Sequence, residues 1–117
     1  MEIKWTGLIT LNTNEVEKIS EVSGVYRLSY LNNSKEYIVY YVGQADNLKE
    51  RLKQHLLSSE INTCCINKLK QYNCFFRAAA ISRQSDRDGA EVSLYNHFKP
   101  TCVERIPDVP PLNINFS

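Results

Sequence analysis

A chain of 117 residues, 43% hydrophobic and 23% charged, has the size and composition of one soluble globular domain with a modest core. A formal net charge of +1 argues against a strong non-specific grip on nucleic acid, because that grip scales with the number of phosphates neutralised. No apolar run approaches a membrane span and the opening MEIKWTGLIT is not a signal peptide, so the expected location is cytoplasmic, with no membrane partner.

Residues 1–12 carry Trp5, Leu8, Ile9 and Leu11 and are expected to pack as an N-terminal strand or arm. Asn14 is placed to cap a short helix, Glu15–Ser20, which Ser23-Gly24 then breaks. Two strands follow, Val25–Leu31 and Tyr37–Val42, joined by the polar turn Asn32-Asn33-Ser34-Lys35. Symmetric pairing about Asn33 and Ser34 sets Tyr26 opposite Tyr41, Leu28 opposite Val39 and Tyr30 opposite Tyr37, all six on one face. The turn lacks the glycine that tight hairpins favour. Past Gly43, Asn47 reads as the N-cap of a helix whose stripe is Leu48, Leu52 and Leu56. Arg51 and His55, four apart, border that stripe, while Lys49 and Lys53 point outward. Arg51 is open to two readings, a solvated surface arginine or one wall of an anion pocket beside the strand tyrosines. Ser58-Ser59 is expected to end the helix.

A second helix, Glu60–Tyr72, shows Ile61, Cys65, Leu69 and Tyr72 on one stripe, and Asn73 marks its end. Residues 74–82, CFFRAAAIS, read as a third and central strand, the three alanines leaving helix as the alternative. Between Ile61 and Ser85 stand Lys68, Lys70, Arg77 and Arg83 with no acid, which suits either a flank for a phosphate backbone or a solvated face. Ser85-Asp86-Arg87-Asp88 resembles a capping box ahead of a helix Asp86–Phe98, which Lys99-Pro100 stops. The tail alternates Leu112, Ile114 and Phe116 and is expected to lie extended on the domain. The cysteines, Cys64, Cys65, Cys74 and Cys102, match no zinc spacing and are expected as free buried thiols. The order β-β-α-α-β-α predicts an α+β domain, a three-stranded antiparallel sheet flanked by helices. Residues 1–21 form an arm with a short helix, 22–103 the body, and 104–117 an extended tail.

Glu91 is the residue that fits its surroundings least. It shares a helix face with Leu94, Tyr95 and Phe98, and an unpaired buried carboxylate is costly. Three accounts are open: an ion pair with a base such as Arg51, a glutamate on the helix dipole, or a divalent metal, since hard cations take oxygen ligands.

Gly24-Val25-Tyr26, then Tyr41-Val42-Gly43, then Asn47-Leu48-x-x-Arg51-Leu52, with Glu91 nine residues before Pro100, resembles the core signature of the GIY-YIG endonuclease superfamily over about residues 22–103. The resemblance implies that superfamily's fold and a metal-dependent endonuclease that hydrolyses DNA phosphodiester bonds, one strand per active site. It implies one Mg2+ or Mn2+ ion per site, held by Glu91. Tyr26 would act near the attacking water, Tyr41 would orient water or phosphate, and Arg51 would fork onto phosphate oxygens. His55 would relay a proton, and Gly43 would let the backbone pass close to the site. Gln44, Lys68 and Lys70 join Gly43 and Arg51 as candidate contacts to the substrate backbone. The expected partner is duplex or structured DNA, with a homodimer or a protein partner supplying specificity.

Two departures bear on activity. Gln44 stands where many members carry lysine, and Val103 where many carry asparagine, a place Asn113 or Asn115 could fill if the tail folds back. The hairpin connection is also longer than usual. The rival reading keeps the fold without catalysis, as a module binding DNA or protein through residues 61–85. Val103 and the low net charge favour that rival, while Tyr26, Tyr41, Arg51 and Glu91 together favour the enzyme. A third reading, an RNA nuclease, lacks any aromatic base-stacking signature.

Overall fold

The structure, a computed structural model, describes residues 1–57 and 60–117, so the expected helix stop at Ser58-Ser59 lies outside the described residues. Its elements run β1 (Ile9–Thr10), α1 (Thr13–Val16), β2 (Gly24–Leu31), β3 (Tyr37–Ala45), α2 (Leu48–Leu56), α3 (Thr63–Gln71), β4 (Cys74–Ala80) and α4 (Gln84–Phe98). The class is the expected α+β. The antiparallel sheet has four strands rather than three, in the order β1-β4-β2-β3. The N-terminal arm supplies the extra strand: Ile9 and Thr10 pair with Phe76 and Phe75, and Thr6 N–H reaches the Ala78 carbonyl. Residues 74–80 are strand, with Ala78, Ala79 and Ala80 paired to Tyr26, Val25 and Gly24 of β2. β2 is the middle strand of the expected three, and β4 is interior only because β1 covers it.

The hairpin departs from the expected register. Tyr26 lies opposite Gly43 and Leu28 opposite Tyr41, while nearer the turn Ser29 faces Val39 and Leu31 faces Tyr37. Two causes combine. The turn spans Asn32–Glu36, closed by Asn32 N–H to the Glu36 carbonyl, with Lys35 at φ 62° in the glycine-favouring region. A bulge then leaves Tyr40 without a partner on β2. The bulge puts Tyr40 and Tyr41 on one face, with Tyr26 and Leu28, and turns Val39 to the other with Val25 and Val42. The six residues therefore do not share a face.

α2 and α3 cover the first face. Leu48 and Leu52 pack beneath it with Phe76 and Ala78. α4 covers the second face through Ala90 and Leu94, against Val25, Val42 and Ala79. Arg27 on that face is buried between Trp5 and Phe98, its guanidinium 4.7 and 4.8 Å from the ring centres. The tail has no regular structure, but Leu112 N–H bonds to the Gly89 carbonyl and Asn115 clasps Ile3 through both its N–H and its C=O.

Three helix starts differ from expectation. Asn12, not Asn14, caps α1 by accepting the Glu15 N–H. Asn62 caps α3, so that helix begins later than Glu60 and Ile61 stands 88% exposed, off the stripe. α4 begins at Gln84, and no side chain caps it, so the expected capping box does not form. Asn47 does cap α2, accepting the Glu50 N–H at 3.1 Å. Cys65 and Cys74 are free and buried, as expected. Cys64 and Cys102 are instead joined in a disulfide; their Cα atoms are 5.4 Å apart across 38 residues, a proximity that only the folded tail creates. Among the described residues no helix is long and apolar enough to cross a membrane.

Candidate active site

β3 is an edge strand, and its free side is where the two faces of the sheet can meet. Tyr41 and Gly43 point to the α2 face and Gln44 to the α4 face. The tail closes along this edge, anchored by the Cys102 N–H on the Tyr40 carbonyl at 2.8 Å. The result is an open pocket of about 330 Å3 lined by Tyr41, Gly43, Gln44, Arg51, Glu91, Glu104, Arg105 and Pro107. Five of the candidate residues thus reach one hollow from three elements.

Glu91 comes from α4 and is 7% exposed. Among the described residues it has no ion-pair partner. Burial pushes its carboxyl up to about 7, eased by Gln44 and aggravated by the charges of Asp88 and Glu104. Gln44 also donates to Asp88 at 2.7 Å, which fixes the amide beside Glu91. The ion pair of Glu91 with Arg51 does not form: Arg51 Nη1 lies 3.1 Å from Glu60 and Nη2 lies 3.7 Å from Glu104.

Tyr41 and Tyr26 have different surroundings. Tyr41 lines the pocket, and burial raises its hydroxyl to about 12 although Arg51 is within hydrogen-bonding reach. Tyr26 is wholly buried behind it, with ring centres 6.0 Å apart, and its burial raises the phenol well above its ordinary value. The Tyr26 hydroxyl is 2.9 Å from His55 Nε2. Gly43 makes that placement sterically feasible, since a Cβ there would stand 2.7 Å from the Tyr26 oxygen. Gly24 has a similar role: a Cβ would meet the Ala79 carbonyl at 2.1 Å and Leu48 at 2.8 Å. His55 is 4% exposed, and burial together with Arg51 lowers it to about 4, so the ring is neutral at pH 7.

Lys68 and Lys70 lie elsewhere. Lys68 sits 4.9 Å over the Tyr30 ring, which stacks on Tyr72, and Lys70 borders an apolar groove between α2 and α3. Arg77 pairs across the sheet with Arg27, and Arg83 precedes α4, so the basic 61–85 residues do not converge on the pocket. Val103 is 47% exposed. Asn113 and Asn115 bind the N-terminal arm and do not line the pocket.

Sequence reasoning missed three charged residues. Glu60, 7% exposed, contacts both Arg51 and His55, and Glu104 and Arg105 reach the pocket from the tail. No periodicity marks any of them, because each lies in a connection whose path depends on the fold.

Among donor sets a carboxylate, a carboxamide and phenol oxygen around an open hollow suit a hard divalent cation that keeps much of its own water. A buried acid with no cation beside it has the charge to receive one, so the residues present fit such an ion. Among the described residues no cluster of three or more His, Cys, Asp or Glu side chains forms a metal cage.

Several solved structures share the fold. The GIY-YIG N-terminal endonuclease domain of UvrC from Thermotoga maritima, bound to its catalytic divalent cation magnesium, is 17% identical with a TM-score of 0.58, over 76% of this chain and 91% of that one. A tyrosine-to-phenylalanine variant of that domain, also bound to its catalytic divalent cation, is 18% identical with a TM-score of 0.59, over 77% and 91%. An asparagine-to-alanine variant bound to the same kind of ion aligns equally well. No curated protein matches the chain. Residues 22–109 match the GIY-YIG catalytic domain, which spans most of the sequence, and with the fold and the two tripeptides in place the chain belongs to the GIY-YIG family.

Proposed function

We propose that this protein is a metal-dependent DNA endonuclease that hydrolyses one phosphodiester strand per active site. One observation carries the reading: Glu91, a buried carboxylate with no ion-pair partner among the described residues, opens onto the same pocket as Arg51 and Tyr41. A purely structural acid on a buried face would have a base beside it. Glu91 would hold a single magnesium or manganese ion, which when bound supplies Lewis acidity at the phosphate and at the leaving oxygen.

This chain's own residues do the rest. Gln44 stands beside Glu91, held in place by its bond to Asp88 and by the Gln84 amide that donates to its oxygen. Arg51 offers its guanidinium to the phosphate oxygens as charge develops on phosphorus. Tyr41 is the phenol that meets water or phosphate, because it lines the pocket. Tyr26 works behind it, passing a proton inward to His55 Nε2. This reverses the order expected from the resemblance, which puts Tyr26 nearest the water.

The decisive assay is nicking of supercoiled plasmid with magnesium or manganese, comparing the wild type with Glu91→Ala and Arg51→Ala. Nicking by the wild type and its loss in both variants support the reading. Background cutting by all three, with DNA still retained in a gel shift, favours the rival reading of a binding module. The observation behind that rival is Glu104, whose carboxylate lies 3.7 Å from Arg51 Nη2 and occupies part of the space a phosphate needs.

A further inference from the structure

Glu60 lies outside the set of residues the motif supplies, yet it touches two of them. Its Oε2 is 3.1 Å from Arg51 Nη1 and 2.9 Å from His55 Nδ1. The approach to Nδ1 is too oblique for a hydrogen bond, so the contact is one of charge and Nδ1 has no hydrogen-bond partner among the described residues. Its Oε1 accepts the Asn62 N–H at 3.1 Å. The side chain is 1% exposed, a costly position for an acid unless its neighbours hold it charged. They do. Burial alone would raise Glu60, but the Asn62 N–H and the Arg51 guanidinium keep it below its usual value.

The chemistry of the ring follows from its two contacts. A neutral imidazole has one N–H and one lone pair, and an ionised carboxylate can only accept. With the Glu60 carboxylate 2.9 Å from Nδ1 and the Tyr26 hydroxyl at Nε2, the negative charge favours the N–H on the Glu60 side and leaves the lone pair facing Tyr26. We propose that Glu60 is a positioning residue of the nuclease site: it fixes His55 in the Nδ1–H tautomer, so that Nε2 can take the Tyr26 proton, and with the same oxygen holds Arg51 toward Tyr41.

The inference rests on the nuclease reading. As water oxygen bonds to phosphorus, its proton goes to the Tyr41 oxygen, that of Tyr41 to the Tyr26 oxygen, and that of Tyr26 to His55 Nε2. The P–O bond to the leaving oxygen breaks with its electron pair, solvent protonates that oxygen, and the imidazolium then returns its proton to solvent through Tyr26 and Tyr41. His55 is briefly an imidazolium beside Glu60, which stays ionised and stabilises it. Nothing is oxidised or reduced.

The test begins with the metal-free wild type. The chain has two histidines, so a His97→Gln variant assigns both rings in long-range proton–nitrogen spectra. His97 stacks on Phe116, away from the pocket. The expected result is a pure Nδ1–H tautomer for His55. In Glu60→Gln the amide can donate or accept, so both tautomers should coexist, and kcat should fall roughly 10–100-fold with KM within about twofold. Glu60→Asp, which restores the charge, should recover part of that loss. An Nε2–H tautomer in the wild type, or wild-type nicking by folded Glu60→Gln, would overturn the proposal. If Glu60→Gln does not fold, the wild-type tautomer and Glu60→Asp still decide it. A wild type that never nicks sinks the nuclease reading, while the tautomer still reports whether Glu60 positions His55.

Discussion

Two glutamates are buried to the same 7% on either side of the pocket, and they are opposites. Glu60, in the connection before α3, is surrounded by a guanidinium, an imidazole and a backbone N–H. Glu91, on α4, has a carboxamide and other acids for neighbours. The first is held below the usual carboxylate value and the second is pushed up to about 7. Both are nearly closed to solvent, but Glu91 lies deeper among protein atoms, so depth and partners together set the state of each acid. An acid already supplied with cations orders its surroundings, and one left without is able to bind a cation from outside.

Activity should break the comparison most widely. Glu91→Ala removes the proposed metal ligand and should cost roughly 1,000-fold or more in nicking rate, about 4 kcal/mol of transition-state stabilisation. Arg51→Ala should cost about 100–1,000-fold, as for other groups that meet developing charge. Single-turnover nicking at saturating magnesium measures both, and equal rates in Glu91→Ala and the wild type would remove the assigned role.

Stability should respond in opposite directions. Arg51→Ala leaves Glu60 buried without its strongest cation and should destabilise the fold by about 3 kcal/mol, the usual scale for breaking a buried pair from one side. Glu91→Gln removes a charge that burial penalises and should stabilise the metal-free protein at pH 8. Urea melts in EDTA check both signs. A Glu91→Gln protein less stable than wild type would mean that Glu91 already has a favourable partner.

The pH dependence sharpens this further. The Glu91 carboxyl rises from 4.5 to about 7 on folding, so its contribution to stability falls as pH climbs through that window, by roughly 3 kcal/mol in all. His55 falls from 6.5 to about 4, so its contribution is full above 6.5 and is lost as pH drops toward 4, by a similar roughly 3 kcal/mol. The two slopes oppose each other between about pH 4.5 and 6.5, and the metal-free wild type should be nearly flat there. Glu91→Gln should uncover the histidine slope, losing stability on acidification. His55→Gln should uncover the other, gaining stability on acidification. Parallel curves for the two variants would refute the opposed titrations.

How much of this was legible in the sequence follows from the range of each signal. The strands, α2 with its Asn47 cap, and the face of α4 were readable because their periodicity is local. Glu91 was noticeable because an acid on an apolar stripe violates a local rule. The hairpin register was not readable, because the turn puts a lysine, not a glycine, in the left-handed region and the Tyr40 bulge shifts the pairing beyond it. The Cys64–Cys102 bond and the arrival of Glu104 at Arg51 depend on the route of the tail past the β3 edge, which no spacing encodes. Glu60 was hidden for the same reason: its partners lie nine and five residues back, on the other side of the connection between α2 and α3. The pocket exists because β3 is an edge strand, and strand order is a property of the whole sheet.

Gln44 offers the smallest and most direct manipulation. It stands next to Glu91 and bonds Asp88, with a carboxamide where a cation would make the two acids alike. Gln44→Lys places an ammonium between Glu91 and Asp88, giving Glu91 the kind of neighbour that Glu60 has in Arg51. The Glu91 carboxyl should then fall from about 7 toward its ordinary value. At pH 8 without metal the protein should gain about 1 kcal/mol, the upper range for a partly exposed pair. Carboxyl carbon shifts followed from pH 4 to 9 would read the first effect, and urea melts the second. If the carboxyl still titrates near 7 beside the new lysine, the high value comes from hydrocarbon around Glu91 rather than from its lack of a cation, and the contrast with Glu60 is one of solvation alone.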